Sequence, residues 1–190
     1  PTPTTVIEHG VLIPPENPFT GELRRGIVVI NHIRRRGRRL GYDLWEQFRE
    51  SVPLDLYGMG WAEAGGVREA RHTELPALMG RYRFFFNPIR YTSLGLAVCE
   101  AMAAGLPVVG LATTEMTTVI ASGENGFIDT EPERLLEPME AMLRDRGLAE
   151  ELGRKARETA IARFSLERFL DDWNHLLAGV TGRPAPLLSR

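Results

Sequence analysis

The sequence predicts an α/β fold of the Rossmann-like, doubly wound class: a parallel sheet with helices on both faces. Three observations support this. Short β-branched or aromatic runs alternate with helix-forming stretches from Gly26 to Asp129, and the last third of the chain reads as helical throughout. The length, 190 residues at 43% hydrophobic and 25% charged, suits one well-packed domain. Crossovers between parallel strands are right-handed, so strands of this spacing bring helices to both sheet faces.

Taken in order, TTVIEHGV (4–11) is strand-like, and its position directly after Pro1 suggests a cut at a domain boundary. GIVVIN (26–31) is a β-branched strand, followed by an arginine-rich loop and by the helix YDLWEQFRES, in which Leu44 and Phe48 share a face. VPLDLYG repeats the strand signal and ends at Gly58-Met59-Gly60. ELPALMGRY then forms a short helix, with Thr73 as its expected N-cap. RFFFNP is a strand stopped by Pro88. A helix over the apolar stretch to Ala104 follows, then the strand PVVGLA, a short helix from Glu115 to about Ala121, a glycine-rich turn and the strand GFID. Three helices complete the chain: PERLLEPMEAMLRD, GLAEELGRKARETAIARF, and a closing helix over 165–178. Ser165 caps the last, and Leu166, Phe169, Trp173 and Leu176 form its apolar face. The domain is expected over 1–180, with a Pro-rich, frayed tail over 181–190.

Composition excludes several classes. A net charge of −2 and a pI near 6.2 argue against a general polyanion binder, so no nucleic-acid partner is expected. The single Cys99 rules out an internal disulfide and sits among small apolar residues, as a core thiol in a reducing compartment would. No apolar run is long enough to span a bilayer, and the first residues lack the regions of a signal peptide, so a cytoplasmic location is expected.

In this fold class ligands bind at the carboxyl ends of strands, and three segments fall there: 31–39, Gly58 to Gly60, and 87–95. Gly58-Met59-Gly60 lacks the third glycine of a dinucleotide fingerprint, so a nicotinamide or flavin cofactor is not supported. Between Tyr91 and Thr114 the only charge is Glu100, set in a small apolar helix-forming stretch. A half-buried carboxylate needs hydrogen-bond donors, and sugar or ribose hydroxyls supply them without adding charge. A distant arginine is the competing account. The helix start near Ser93, Leu94 and Gly95 offers free backbone N–H groups and a positive dipole end to a phosphate, with Thr92 beside them; the plainer account is that Thr92 or Ser93 caps a core helix. The run Arg34, Arg35, Arg36, Gly37, Arg38, Arg39 is mostly a solvated loop, but Arg38 or Arg39, just before Leu40-Gly41, lies within reach of the same phosphates. His32, at that strand end, joins them, although a lone histidine is more often structural.

The stretch 74–109, ELPALMGRYRFFFNPIRYTSLGLAVCEAMAAGLPVV, resembles the donor-binding segment of retaining glycosyltransferases of the GT-B fold, group 1 or family 4. Their pattern runs E-L-P-x-L-Y, a strand ending in P-S, then E-G-F-G-L-x-x-x-E-A-M-A-x-G-x-P-V-V. Pro88, Leu94-Gly95-Leu96, Glu100, Gly105, Pro107 and Val108 fall on its positions. VIEHGV, IVVINHIRRRGRRLG, Glu124-Asn125-Gly126-Phe127 and ARFSLERFLDDW resemble further family segments in the same order.

The resemblance implies one half of a GT-B architecture: the C-terminal domain that holds a nucleotide-diphosphate sugar as substrate, with the N-terminal acceptor domain absent from these residues. It implies ribose binding by Glu100, diphosphate binding by Ser93 to Gly95, and neutralisation of the leaving group by Arg38 or Arg39. No metal or other cofactor is implied, and no Asp-x-Asp motif occurs. The first carboxylate of the family pair, which contacts the transferred sugar, is Thr92 here, and the neighbouring glycine is Ser93. The expected function is thus sugar transfer to an unidentified acceptor, with the isolated domain inactive. A non-catalytic nucleotide-sugar module, or more remotely a sugar-nucleotide epimerase half, are the alternatives.

Overall fold

A computed structural model describes residues 4–182 of the chain. Among the described residues five strands, β1 (Gly26–Val29), β2 (Leu54–Tyr57), β3 (Phe84–Asn87), β4 (Val108–Leu111) and β5 (Gly126–Asp129), form one sheet in the order β2-β1-β3-β4-β5. Every pairing is parallel, with Gly26 opposite both Leu54 and Phe84, and Val108 opposite both Phe85 and Gly126. Five of the six expected strands are present. The chain steps outward from β1 to β2, then crosses back to lay β3 on the other side of β1. The connections leaving β1 and β3 therefore diverge to opposite faces and open a crevice at the carboxyl strand ends.

Alternation along each strand feeds two apolar layers. Val28, Leu56, Phe84, Phe86 and Val109 pack on helix α2 (Tyr42–Ser51), through Leu44, Trp45 and Phe48, and on α6 (Leu136–Arg144), through Met139 and Met142. Phe48 stacks on Phe86 with ring centroids 5.0 Å apart. Ile27, Phe85 and Val108 face the opposite layer, made by α3 (Leu75–Gly80), α4 (Leu96–Ala103) and α7 (Arg146–Phe164). The small residues around Glu100 have a packing cause. A Cβ on Gly153 of α7 would stand 2.0 Å from the carbonyl oxygen of Gly105, so α7 and the turn after α4 touch backbone to backbone. Ala101, Ala103, Ala104, Ala156 and Ala160 are buried in that contact layer. Arg157 of α7 donates to the Ala103 carbonyl, a cation at the C-terminal end of α4 where the helix dipole favours it.

Remaining short helices are α1 (Ile33–Arg36), α5 (Met116–Val119), shorter than the expected span to Ala121, and the closing α8 (Leu166–Thr181). Ser165 caps α8 by accepting from Arg168 N at 3.4 Å. Its apolar face forms as expected, with Phe169 edge-on to Trp173, yet no residue of α8 is buried and Trp173 is 41% exposed. The expected tail lies outside the described residues from 183 on.

Two local expectations fail. The segment over 4–11 is not a strand; it pairs only at Val11 with Ser165. Its carbonyl groups at Glu8 and His9 accept from the Arg168 guanidinium instead, and Glu8 forms an ion pair with Arg163, so arginines of the α7–α8 junction replace a sheet ladder. Thr73 is not a cap either. A 3-10 turn over His72–Glu74 precedes α3, no side chain caps α3, and the Glu74 carboxylate accepts from Arg71 N at 2.7 Å at the start of that turn.

Candidate functional site

The carboxyl ends of β1, β2 and β3 are locked to one another by side chains and glycines. Asn31 accepts from Met59 N through Oδ1 at 2.8 Å, and His32 N donates to the Met59 carbonyl at 2.6 Å. Gly58 is needed for this seam: its φ is 133°, and a Cβ there would lie 2.5 Å from the Ile30 carbonyl oxygen. Its glycine identity thus follows from strand packing. His32 is half-buried in the left-handed region at φ 53°.

The arginine loop turns through α1 and the 3-10 turn Gly37–Leu40, and is fastened to the loop after β3. Arg90 grips Asp43 with both nitrogens, at 2.6 and 2.9 Å, and donates to the Arg38 carbonyl at 3.1 Å; its own N–H donates to the Arg39 carbonyl at 3.2 Å. Arg38 stands 3.5 Å from Asp43. Partial burial pushes the Asp43 carboxyl up, but the Arg90 hydrogen bond and charge outweigh it and hold it below the usual carboxylate range. Of the two arginines singled out from the sequence, Arg38 is therefore shared with Asp43. Arg39 and Arg36 make no side-chain hydrogen bond or ion pair with any described residue, and both line a cavity of about 300 Å³ with Tyr91 and Thr92. Arg36 was missed in the sequence, because nothing in a run of arginines marks which of them turn toward a neighbouring loop.

Gly95 stands at the N-cap of α4 with φ 87°, and no side chain caps the helix. The plainer account of Thr92 and Ser93, as caps of a core helix, does not hold. The Ser93 carbonyl accepts from Thr114 Oγ1 at 3.1 Å. Leu94 is buried, so only its backbone faces a ligand. Ser93 and Leu94 line a hollow of about 250 Å³ together with Glu8, His9, Glu115 and Arg163.

Glu100, one turn into α4, has a partner that the sequence did not disclose. His72 Nε2 lies 2.7 Å from its Oε1, and the Glu100 side chain keeps 20% exposure. Its other oxygen makes no hydrogen bond to a described residue. The pair borders a hollow of about 270 Å³ whose walls are Leu12, Pro14, Thr73, Leu75 and Pro76. The segment over 91–100 borders three hollows with no lining residue in common. Larger hollows of about 410 and 400 Å³ lie between β5 and α6 and beside Val52-Pro53. Neither lies at the carboxyl ends of β1 and β3, where the unpaired cations are. Cys99 is buried and its thiol is pushed up to about 12, chiefly by burial, which leaves it inert. Among the described residues no group of three or more His, Cys, Asp or Glu is placed to hold a metal ion, and no helix is long and apolar enough to cross a membrane.

Comparison with known proteins agrees with this geometry. Residues 67–159 match the family model described as glycosyl transferases group 1. Trehalose synthase of Pyrococcus horikoshii is 35% identical over 86 residues, 43% of this chain and 21% of that protein. S. aureus TarM, solved as a mutant with fondaparinux, α-GlcNAc-glycerol and UDP, superposes with a TM-score of 0.71 at 20% identity, over 90% of this chain and 39% of its own. Sucrose-phosphate synthase from Thermosynechococcus elongatus gives a TM-score of 0.70 at 20% identity, over 83% of this chain and 46% of its own. The chain spans less than half the length of each of these relatives. The all-parallel sheet of this order has the Rossmann-like fold of these GT-B structures, and the segment from the loop after β2 into α7 is similar to glycosyl transferases group 1.

Proposed function

We propose that this chain is the donor-binding half of a glycosyltransferase that moves a sugar from a nucleotide-diphosphate sugar to an acceptor, with retention and without a metal ion. The carrying observation is the crevice between β1 and β3. Arg36 and Arg39, with no side-chain partner among the described residues, line a cavity there with Thr92, and three residues beyond Thr92 stands Gly95, at the uncapped N-terminus of α4. Both features favour an anion, and both are poised before it arrives.

The diphosphate lies along Ser93, Leu94 and Gly95, accepting from backbone N–H groups at the start of α4, with His32 nearby on the β1 side. Charge grows on the diphosphate as the glycosidic bond breaks; Arg39 and Arg36 neutralise it, with Arg38 held beside them by Asp43. Glu100 accepts from the ribose hydroxyls through the oxygen that His72 leaves open. Thr92 meets the transferred sugar with a neutral hydroxyl, which sets donor preference. The acceptor half is a separate domain of a longer protein, in keeping with the fraction of its relatives that the chain spans. UDP in the TarM complex supports the nucleotide part of this reading. A reducing, cytoplasmic setting fits the single buried thiol.

Thr92, where the family has a carboxylate, also favours a second reading, a nucleotide-sugar binding module without transfer. Calorimetric titration with UDP, GDP and ADP tests what the two readings share. Glu100→Ala should weaken the preferred nucleotide about ten-fold, equivalent to roughly 1.4 kcal/mol. Arg39→Ala should weaken the diphosphate and leave the nucleoside unaffected. Unchanged affinity in Glu100→Ala sinks the ribose assignment.

A further inference from the structure

Among the described residues other than glycine, only His32 and Thr114 have positive φ. Thr114, at 47°, is the more costly, because a β-branched side chain crowds its own backbone in the left-handed region and glycine or asparagine normally stands there. Such strain persists only where the surroundings fix it, and it collects at functional sites. The fixings are visible. Thr117 Oγ1 donates to the Thr114 carbonyl at 3.0 Å, Met116 N donates to Thr113 O at 3.1 Å, and Thr113 N donates to Leu111 O at 2.8 Å.

The strained residue holds one hydroxyl in one place. Thr114 Oγ1 donates across to the Ser93 carbonyl at 3.1 Å, joining the turn after β4 to the turn after β3. The Ser93 carbonyl belongs to the planar peptide unit that carries the Leu94 N–H, so any rotation of that peptide swings this N–H as well, just before Gly95 at a φ of 87°. Glycine at 114 would adopt the turn without strain but would supply no hydroxyl.

We propose that Thr114 is a positioning residue, tying the Ser93–Gly95 turn into the orientation that receives the donor diphosphate at a cost in fold stability. This inference rests on the donor-binding reading above. It predicts that stability and binding separate, which a residue that merely packs would not show.

The test compares Thr114→Gly, Thr114→Val and Thr114→Ser in the whole chain, by thermal melting and by calorimetric titration with UDP, GDP and ADP. Thr114→Gly should melt at or above the wild type while binding the preferred nucleotide about ten-fold more weakly. Thr114→Val, which keeps the strain and loses the donor, should lose both stability and affinity. Thr114→Ser should restore affinity to within about two-fold. Wild-type affinity in Thr114→Gly overturns the inference while leaving the donor reading intact. No binding by the wild type to any of the three nucleotides overturns the donor reading, and this inference with it.

Discussion

Gly41 is the residue at which the arginine loop closes against the end of β3. Its φ is 76°, and a Cβ there would stand 2.1 Å from the Pro88 carbonyl oxygen, so both the torsion and the space demand glycine. Gly41→Ala forces the start of α2 away from Pro88. Torsional cost alone is about 1–2 kcal/mol, and the backbone clash adds to it. The expected fall in melting temperature is roughly 4–8 °C for a chain of this size, measured by calorimetry; a fall below about 2 °C would mean that the loop shifts freely. Other residues at this scale divide by whether their cause is local. Glu100 reads from sequence alone as a half-buried carboxylate in need of a hydrogen-bond partner, and in the fold its side chain is 20% exposed beside His72. The His72 partner of Glu100 was invisible, because the fold that joins the two across 28 positions leaves no periodic trace in the chain.

At the level of elements, the clamp of Arg90, Asp43 and Arg38 ties α2, the arginine loop and the loop after β3 into one unit. The Asp43 carboxyl titrates lower in the fold than when exposed, so its contribution is fully present above the unfolded value, near 3.9, and fades as pH falls through the folded one. Stability should therefore drop more steeply between about pH 5 and 3 in the wild type than in Asp43→Asn. Because Asp43 is 41% exposed, solvent screening limits the difference to about 1 kcal/mol or less. Parallel pH-dependent melts decide it: equal slopes would remove Asp43 as a contributor. Elements with their own pattern were legible. β1, β3 and β4 announce themselves as apolar runs because both sheet faces are buried, and α2 by its Leu44–Phe48 spacing. The segment over 4–11 misled because a β-branched run shows only a preference for extended chain, and its carbonyl groups at Glu8 and His9 are taken by Arg168. Thr73 misled because Glu74, one residue on, reaches the same turn with a longer and charged side chain.

At the scale of the molecule, what the sheet offers the proposed diphosphate is an edge open to solvent. Arg36, Arg39, Tyr91 and Ser93 are all exposed, and the hollows along 91–100 measure only about 250 to 300 Å³ each. Binding needs only that edge. Transfer needs an acceptor held against the anomeric carbon and water kept out while the diphosphate leaves, since a wet site weakens each charge interaction and admits hydrolysis. No second wall stands over this rim among the described residues. The 190-residue chain should accordingly bind the preferred nucleoside diphosphate while releasing no sugar from the matching donor beyond the uncatalysed rate. Titration gives the first quantity, and chromatographic release of free sugar and nucleotide over hours gives the second. Because binding at the strand ends depends on exposed guanidinium groups, affinity should also fall as ionic strength rises from about 0.05 to 0.5 M, as the screening length contracts toward a few ångströms. Donor hydrolysis by the chain alone, abolished in Arg39→Ala, would show that this rim already assembles a working site and would refute the division of labour argued here.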